Sequence, residues 1–210
     1  MGLHQRTTGS HRGRRYGVEI LNKSGIVLLT ACWEAFVEDT ASTAFGYMLR
    51  RMDDPKNLPK TVRQQVATWL KSDKHELKVW ELAGDGWRDV LQAYRTHIIR
   101  SHIGSFHTPK AENIDTLFEA LLGLTRISEK WSWRRMSTAK AQASLARFIG
   151  LRGEIAHRVK ASRPVHKSTV NNYRHLLSRL AARTSNETNK HLKQVVGEFP
   201  WPMTRHGSVE

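Results

Sequence analysis

The sequence predicts an all-α protein, a single helical bundle of about six or seven helices. Apolar residues recur at spacings of three and four along most of the chain. Pro, Gly, Asn and Asp punctuate those stretches where helices need to stop. No alternating run of useful length suggests a strand, and no internal repeat is visible. The 210 residues suit one domain with a real core. We divide them into a basic flexible tail over 1–15, a helical domain over 16–195 and a C-terminal tail over 196–210.

Each element follows from local pattern. From about 17 to 52, Leu29, Trp33, Phe36, Val37, Thr40, Ala44, Tyr47 and Met48 paint one apolar stripe. Asp53, Asp54 and Pro55 stop that helix. Pro59 opens a second, with Val62, Val66, Trp69 and Leu70 inward. Gly84 and Gly86 mark a loop before a third, whose stripe is Trp87, Val90, Leu91, Tyr94 and Ile98. Residues 102–109 read as loop because of Gly104 and Pro109. Asn113 is the expected N-cap of a fourth helix, with Ile114, Leu117, Phe118 and Leu121 inward and Gly123 near its end. A Trp-rich connection at 131–133 leads to a helix over about 138–159, which ends before Pro164. Ser168 is the expected cap of the last long helix, carrying Val170, Tyr173, Leu177 and Leu180.

Charge narrows the partner class. Lys and Arg number 34 against 19 Asp and Glu, a net charge of +15. Such an excess concentrates polyanions and favours phosphate contacts. Nucleic acid is the expected partner, and anionic membrane a weaker one. The basic, Gly-rich start has no apolar core of a secretory signal, and the longest apolar run, 26–33, is too short to span a bilayer. Lone Cys32 allows no intramolecular disulfide and reads as a small buried hydrophobe. These features suit a cytoplasmic protein with no membrane partner. No helix-turn-helix with a basic recognition helix stands out, which disfavours a DNA-binding regulator.

Metal and nucleotide chemistry find little support. His97, His102 and His107 recur every five residues, about 140° apart on a helix, and no Cys pair joins them. The Gly84–Gly86 loop lacks the Lys-Ser/Thr ending of a phosphate cradle. We expect no metal and no cofactor. Trp131 and Trp133 sit among Lys130, Arg134 and Arg135, and aromatic-plus-cation clusters grip single-stranded RNA.

The helix at 138–159 holds the candidate chemistry. Ala141, Leu145, Phe148, Ile149, Ile155, Ala156 and Val159 share one side, and Arg152 falls in its middle. A guanidinium keeps its charge, so a packed seam is costly for it unless an anion meets it. His157 lies at the edge of the stripe, Glu154 roughly opposite, and Gly153 is a poor helix former. RNA cleavage needs neither metal nor protein nucleophile. The ribose 2′-hydroxyl attacks the adjacent phosphorus, a base takes its proton, and an acid protonates the departing 5′-oxygen. Histidine suits either role, and Arg suits the charge on the transition state. A two-fold dimer burying the same stripe would supply two such pairs. A structural reading competes: Arg152 paired with Glu34 or Glu38, and His157 bonding a last-turn carbonyl.

The segment LRGEIAHR (151–158) resembles the signature of HEPN ribonucleases, an Arg, four to six intervening residues, then a His, on one helix. LLTACWEAFVED (28–39), with Trp33 and Glu34, and FHTPKAENIDTLFEALLGL (106–124) are similar to segments of the RiboL-PSP-HEPN branch. The resemblance spans about 20–185. It implies a metal-independent endoribonuclease with catalytic Arg152 and His157, composed across a homodimer. It further implies a toxin or antiphage role with an antitoxin or other regulatory partner. Arg158, Lys160, Lys130, Arg134 and Arg135 would bind RNA. Glu34 and Glu38 would orient the site. A polar residue, often Asn, usually follows the Arg; here Gly153 stands there. The alternative within the family is a module that binds RNA or protein without cutting.

Overall fold

The computed structural model describes residues 18–73, 75–105, 109–158 and 164–204. They form six α-helices: α1 (Glu19–Arg50), α2 (Lys60–Ser72), α3 (Trp87–Ser105), α4 (Ala111–Leu122), α5 (Thr138–Arg158) and α6 (Lys167–Val196). Short 3-10 segments lie at Pro55–Asn57, Glu76–Leu82 and Ile127–Lys130. No strand occurs among the described residues, only an isolated bridge between Trp133 and Met136. The all-α bundle is the expected fold class.

The long helix α1 is the axis of the bundle. Ile26, Trp33, Val37, Ala41, Ala44, Phe45 and Met48 recur at helical spacing and are buried. They pack against α6 above all, and against α3, α4 and α5. Its buried polar groups are satisfied: Asn22 Nδ2 donates to the Val165 carbonyl at 2.8 Å and Thr30 Oγ1 to the Ile26 carbonyl at 3.0 Å. By length and composition α1 is apolar enough to cross a membrane, contrary to the reading of 26–33 alone. The reason is that Ile20 and Leu21 before that run, and Ala35, Phe36 and Val37 after it, widen the apolar window.

Two locks fix α5 to this axis. Trp131 is fully buried, edge-on to Trp33 with ring centroids 6.1 Å apart, and its Nε1 donates to Thr184 Oγ1 on α6 at 3.0 Å. Burying an indole is favourable only when its N–H finds an acceptor. Asp115 on α4 accepts from the backbone N and the Oγ of Ser128, both at 2.7 Å, and Gln142 of α5 donates to the same Oγ at 2.9 Å. The helix before them ends at Gly123, whose φ of 69° is left-handed and whose hydrogen would, as a Cβ, lie 2.6 Å from Pro59 Cβ.

Several local expectations need correction. Helix α4 starts at Ala111 with Lys110 as its N-cap, so Asn113 lies inside the first turn; the extended chain at Pro109–Lys110 already provides the entry. Ser168 likewise sits inside α6, capped by His166. Helix α3 runs on through Gly104 to Ser105, because glycine is well tolerated in a last turn. Cys32 is exposed: one residue from buried Trp33 turns the helix by about 100°, out of the stripe. Residues after α6 bond to that helix. Trp201 donates from Nε1 to Ser185 Oγ at 2.9 Å, and its carbonyl accepts from Asn189 at 2.6 Å. The tail at 1–15 lies outside the described residues.

Candidate functional site

The inner face of α5 is well packed over its first three turns. Ala141, Leu145, Phe148 and Ile149 are all buried. Beyond Ile149 the packing thins: Leu151 and Ile155 are half-buried and Ala156 is exposed. Arg152 is therefore half-buried at the edge of the core rather than sealed in a seam. The seam ends there because α5 passes onto the first turns of α1, whose Ile20 and Leu28 face solvent. Arg152 makes no ion pair and no hydrogen bond among the described residues, and neither Glu34 nor Glu38 is its partner. Partial exposure is what makes this unpaired charge tolerable.

About one turn further along α5, Ile155 lines an open groove of about 400 Å³ together with Ile20, Lys23, Ser24, Val27 and Leu28 of α1. Its walls are mostly apolar, and Ile20 is 69% and Leu28 65% exposed. Spacing did not single out Lys23, because its 3.0 Å ion pair with Glu19 at i,i+4 looks like any surface pair. Glu34 and Glu38 sit further along α1, about 10 and 16 Å beyond Val27 at the helical rise. Both are half-buried. The Glu38 carboxyl is held above its ordinary value of 4.5, first by burial and then by the negative charges of Glu34 and Asp39.

His157 follows Arg152 on α5 by five residues, about 7.5 Å along the axis and about 140° around it. The side chains of His157 and Arg158 lie outside the described residues, as does Lys160. Gly153 faces open space: a Cβ there would meet nothing within 4 Å.

The second basic group stands apart. Lys130, Arg134 and Arg135 are exposed before the start of α5, whose first residue is about 21 Å along the axis from Arg152. Trp131 is a core residue and unavailable for stacking on a base. Half-buried Trp133 carries instead the guanidinium of Arg179 over its ring, 5.8 Å from the centroid. Arg179 was invisible in sequence because it comes from α6. Of the three histidines, His97 stacks on Trp69 at 5.6 Å; the side chain of His102, and His107, lie outside the described residues. No group of three metal-ligating side chains gathers among the described residues.

A family model described as RiboL-PSP-HEPN matches residues 4–190, most of the chain. Comparisons with curated proteins and with solved structures find no match.

Proposed function

We propose a function from one premise: the chain belongs to the RiboL-PSP-HEPN family. That membership points to ribonuclease-type or RNA-binding activity. On our reading the protein is a metal-independent endoribonuclease for single-stranded RNA. The observation that carries it is half-buried Arg152, without an ion pair among the described residues, about one helical turn before Ile155 of an apolar groove. A fixed cation without a protein anion is ready for a phosphate.

Cleavage would run by attack of the 2′-oxygen on the adjacent phosphorus with loss of its proton. The P–O5′ bond breaks, and the 5′-oxygen takes a proton. The products are a 2′,3′-cyclic phosphate and a 5′-hydroxyl. His157 would transfer protons, and Arg152 would hold the charge that builds on the phosphate oxygens. The 140° offset between them argues for two chains. Copies pairing through Ile20, Leu28 and Ile155 would bury that apolar groove and bring two Arg–His sets together. A cytoplasmic toxin or antiphage role, with a regulatory protein restraining the nuclease, is part of the same proposal.

Purified protein in EDTA should cut a single-stranded RNA and leave cyclic-phosphate ends. Arg152→Ala and His157→Ala should each lower the rate by about 10²-fold or more while leaving the fold intact. Ile155→Asp should convert dimer to monomer in sedimentation and abolish cutting together. Intact RNA with folded, dimeric wild-type protein sinks the nuclease reading. Gly153 favours the second reading, an RNA-binding module that does not cut. Since an added side chain fits there, Gly153→Asn discriminates: restored cutting supports a weakened nuclease, and binding without cutting supports the module.

A further inference from the structure

On a different part of the molecule, α2, α3 and the 3-10 segment Glu76–Leu82 enclose a groove of about 270 Å³. Its floor is apolar, made by Leu58, Val66, Leu70, Leu82, Trp87 and Leu91. Beside it the 3-10 segment leaves Leu77 73%, Val79 50% and Trp80 75% exposed. Clustered exposure of this kind marks an interaction surface, and Trp is the commonest anchor of one. Lys56 and Arg63 also line the groove, and neither is in an ion pair among the described residues. Three nearby carboxylates have partners other than these two side-chain cations: Asp54 accepts from the Lys56 backbone N, Asp73 pairs with Lys78 and Asp85 with Arg88.

We propose that this groove docks an acidic amphipathic segment of a partner protein, its apolar side chains on the floor and Trp80, its carboxylates on Lys56 and Arg63. Charge decides against the other occupants. Residues 53–91 hold seven Lys/Arg and seven Asp/Glu in a chain of net +15, so this end offers a polyanion no net attraction. A second copy brings another +15 to the two unpaired cations. The chain's own residues 1–15 carry Arg and His and no acid, the wrong sign for that lip. An apolar floor edged by two cations without an ion pair among the described residues fits a helix that carries apolar anchors and Asp or Glu beside them.

The test is a peptide-display selection of segments of about sixteen residues, four helical turns, against the full chain. Enriched peptides should combine apolar anchors at helical spacing with Asp or Glu. Their affinity, read by fluorescence anisotropy, should fall at least about tenfold in both Arg63→Glu and Trp80→Ala proteins. Both substitutions are at exposed positions, and circular dichroism checks the fold. No enriched acidic–apolar class, or one that binds both variants unchanged, overturns the proposal. So does a single-stranded oligonucleotide whose binding is lost in Arg63→Glu, or self-association that Trp80→Ala abolishes. The readout is peptide binding alone, so its failure is separate from failure of RNA cleavage.

Discussion

Glycine takes opposite parts at two positions of this chain. Gly123 is held at φ 69° against Pro59, so Gly123→Ala should destabilise by about 1–3 kcal/mol in urea unfolding. Gly153 lies mid-helix with open space before it, and Gly153→Ala should stabilise by about 0.5–1 kcal/mol in the same measurement. Glu38 makes a pH-dependent case. Its native carboxyl titrates above 4.5, so between that value and the native one the folded protein holds a proton the unfolded chain has lost. Stability attributable to Glu38 therefore falls as pH rises through this window and stays lower at neutrality. Glu38→Gln should melt above wild type at neutral pH, with the gap closing below 4.5. Arg152 shows what a sequence discloses at this scale. The helical wheel put it on the apolar side, and α5 does carry it there. Its half-exposure depends on where α1 begins beside it, which no spacing within α5 encodes.

At the scale of elements, the link between α4 and α5 decides where the site helix points. Trp131→Phe keeps most of the apolar contact with Trp33 but leaves the buried Thr184 hydroxyl without its donor. It should cost about 1–3 kcal/mol, read by chemical denaturation. The helices themselves were legible because their apolar periods are long and regular. Their caps were not. Asn113 and Ser168 have the chemistry of caps, but Lys110 and His166 occupy those positions because the backbone is extended at those two residues and helical after them. Trp131 was equally opaque. A Trp flanked by cations looks the same whether it plugs a core or stacks on a base, and its acceptor lies 53 residues away. The segment after α6 has no periodicity to read. Its order comes from Trp201 and Thr204, which bond to Ser185, Asn186 and Asn189 of α6.

Over the whole molecule, charge and apolar surface are unevenly shared. Helices α5 and α6 carry ten Lys/Arg against two Glu, whereas residues 53–91 are balanced. RNA affinity should therefore fall steeply with salt. Losing both Arg134 and Arg135 should lower the log–log slope by about 1.4, if each side chain meets one phosphate of a single strand. Anisotropy titrations at several salt concentrations read it directly. The sequence showed the size of the charge but not its placement, because the balanced stretch is separated from the basic helices only once the bundle is folded.

A polyanion pulls hard on α5 and α6 and has no net hold on the end built from α2 and Glu76–Leu82. If the proposed function holds, its field would exert a torque as well as an attraction. The strand would meet the basic helices first, while Trp80 and its groove would trail. Capture of RNA and capture at the trailing end then draw on different side chains, so the protein could be tethered by one end while it handles a strand with the other.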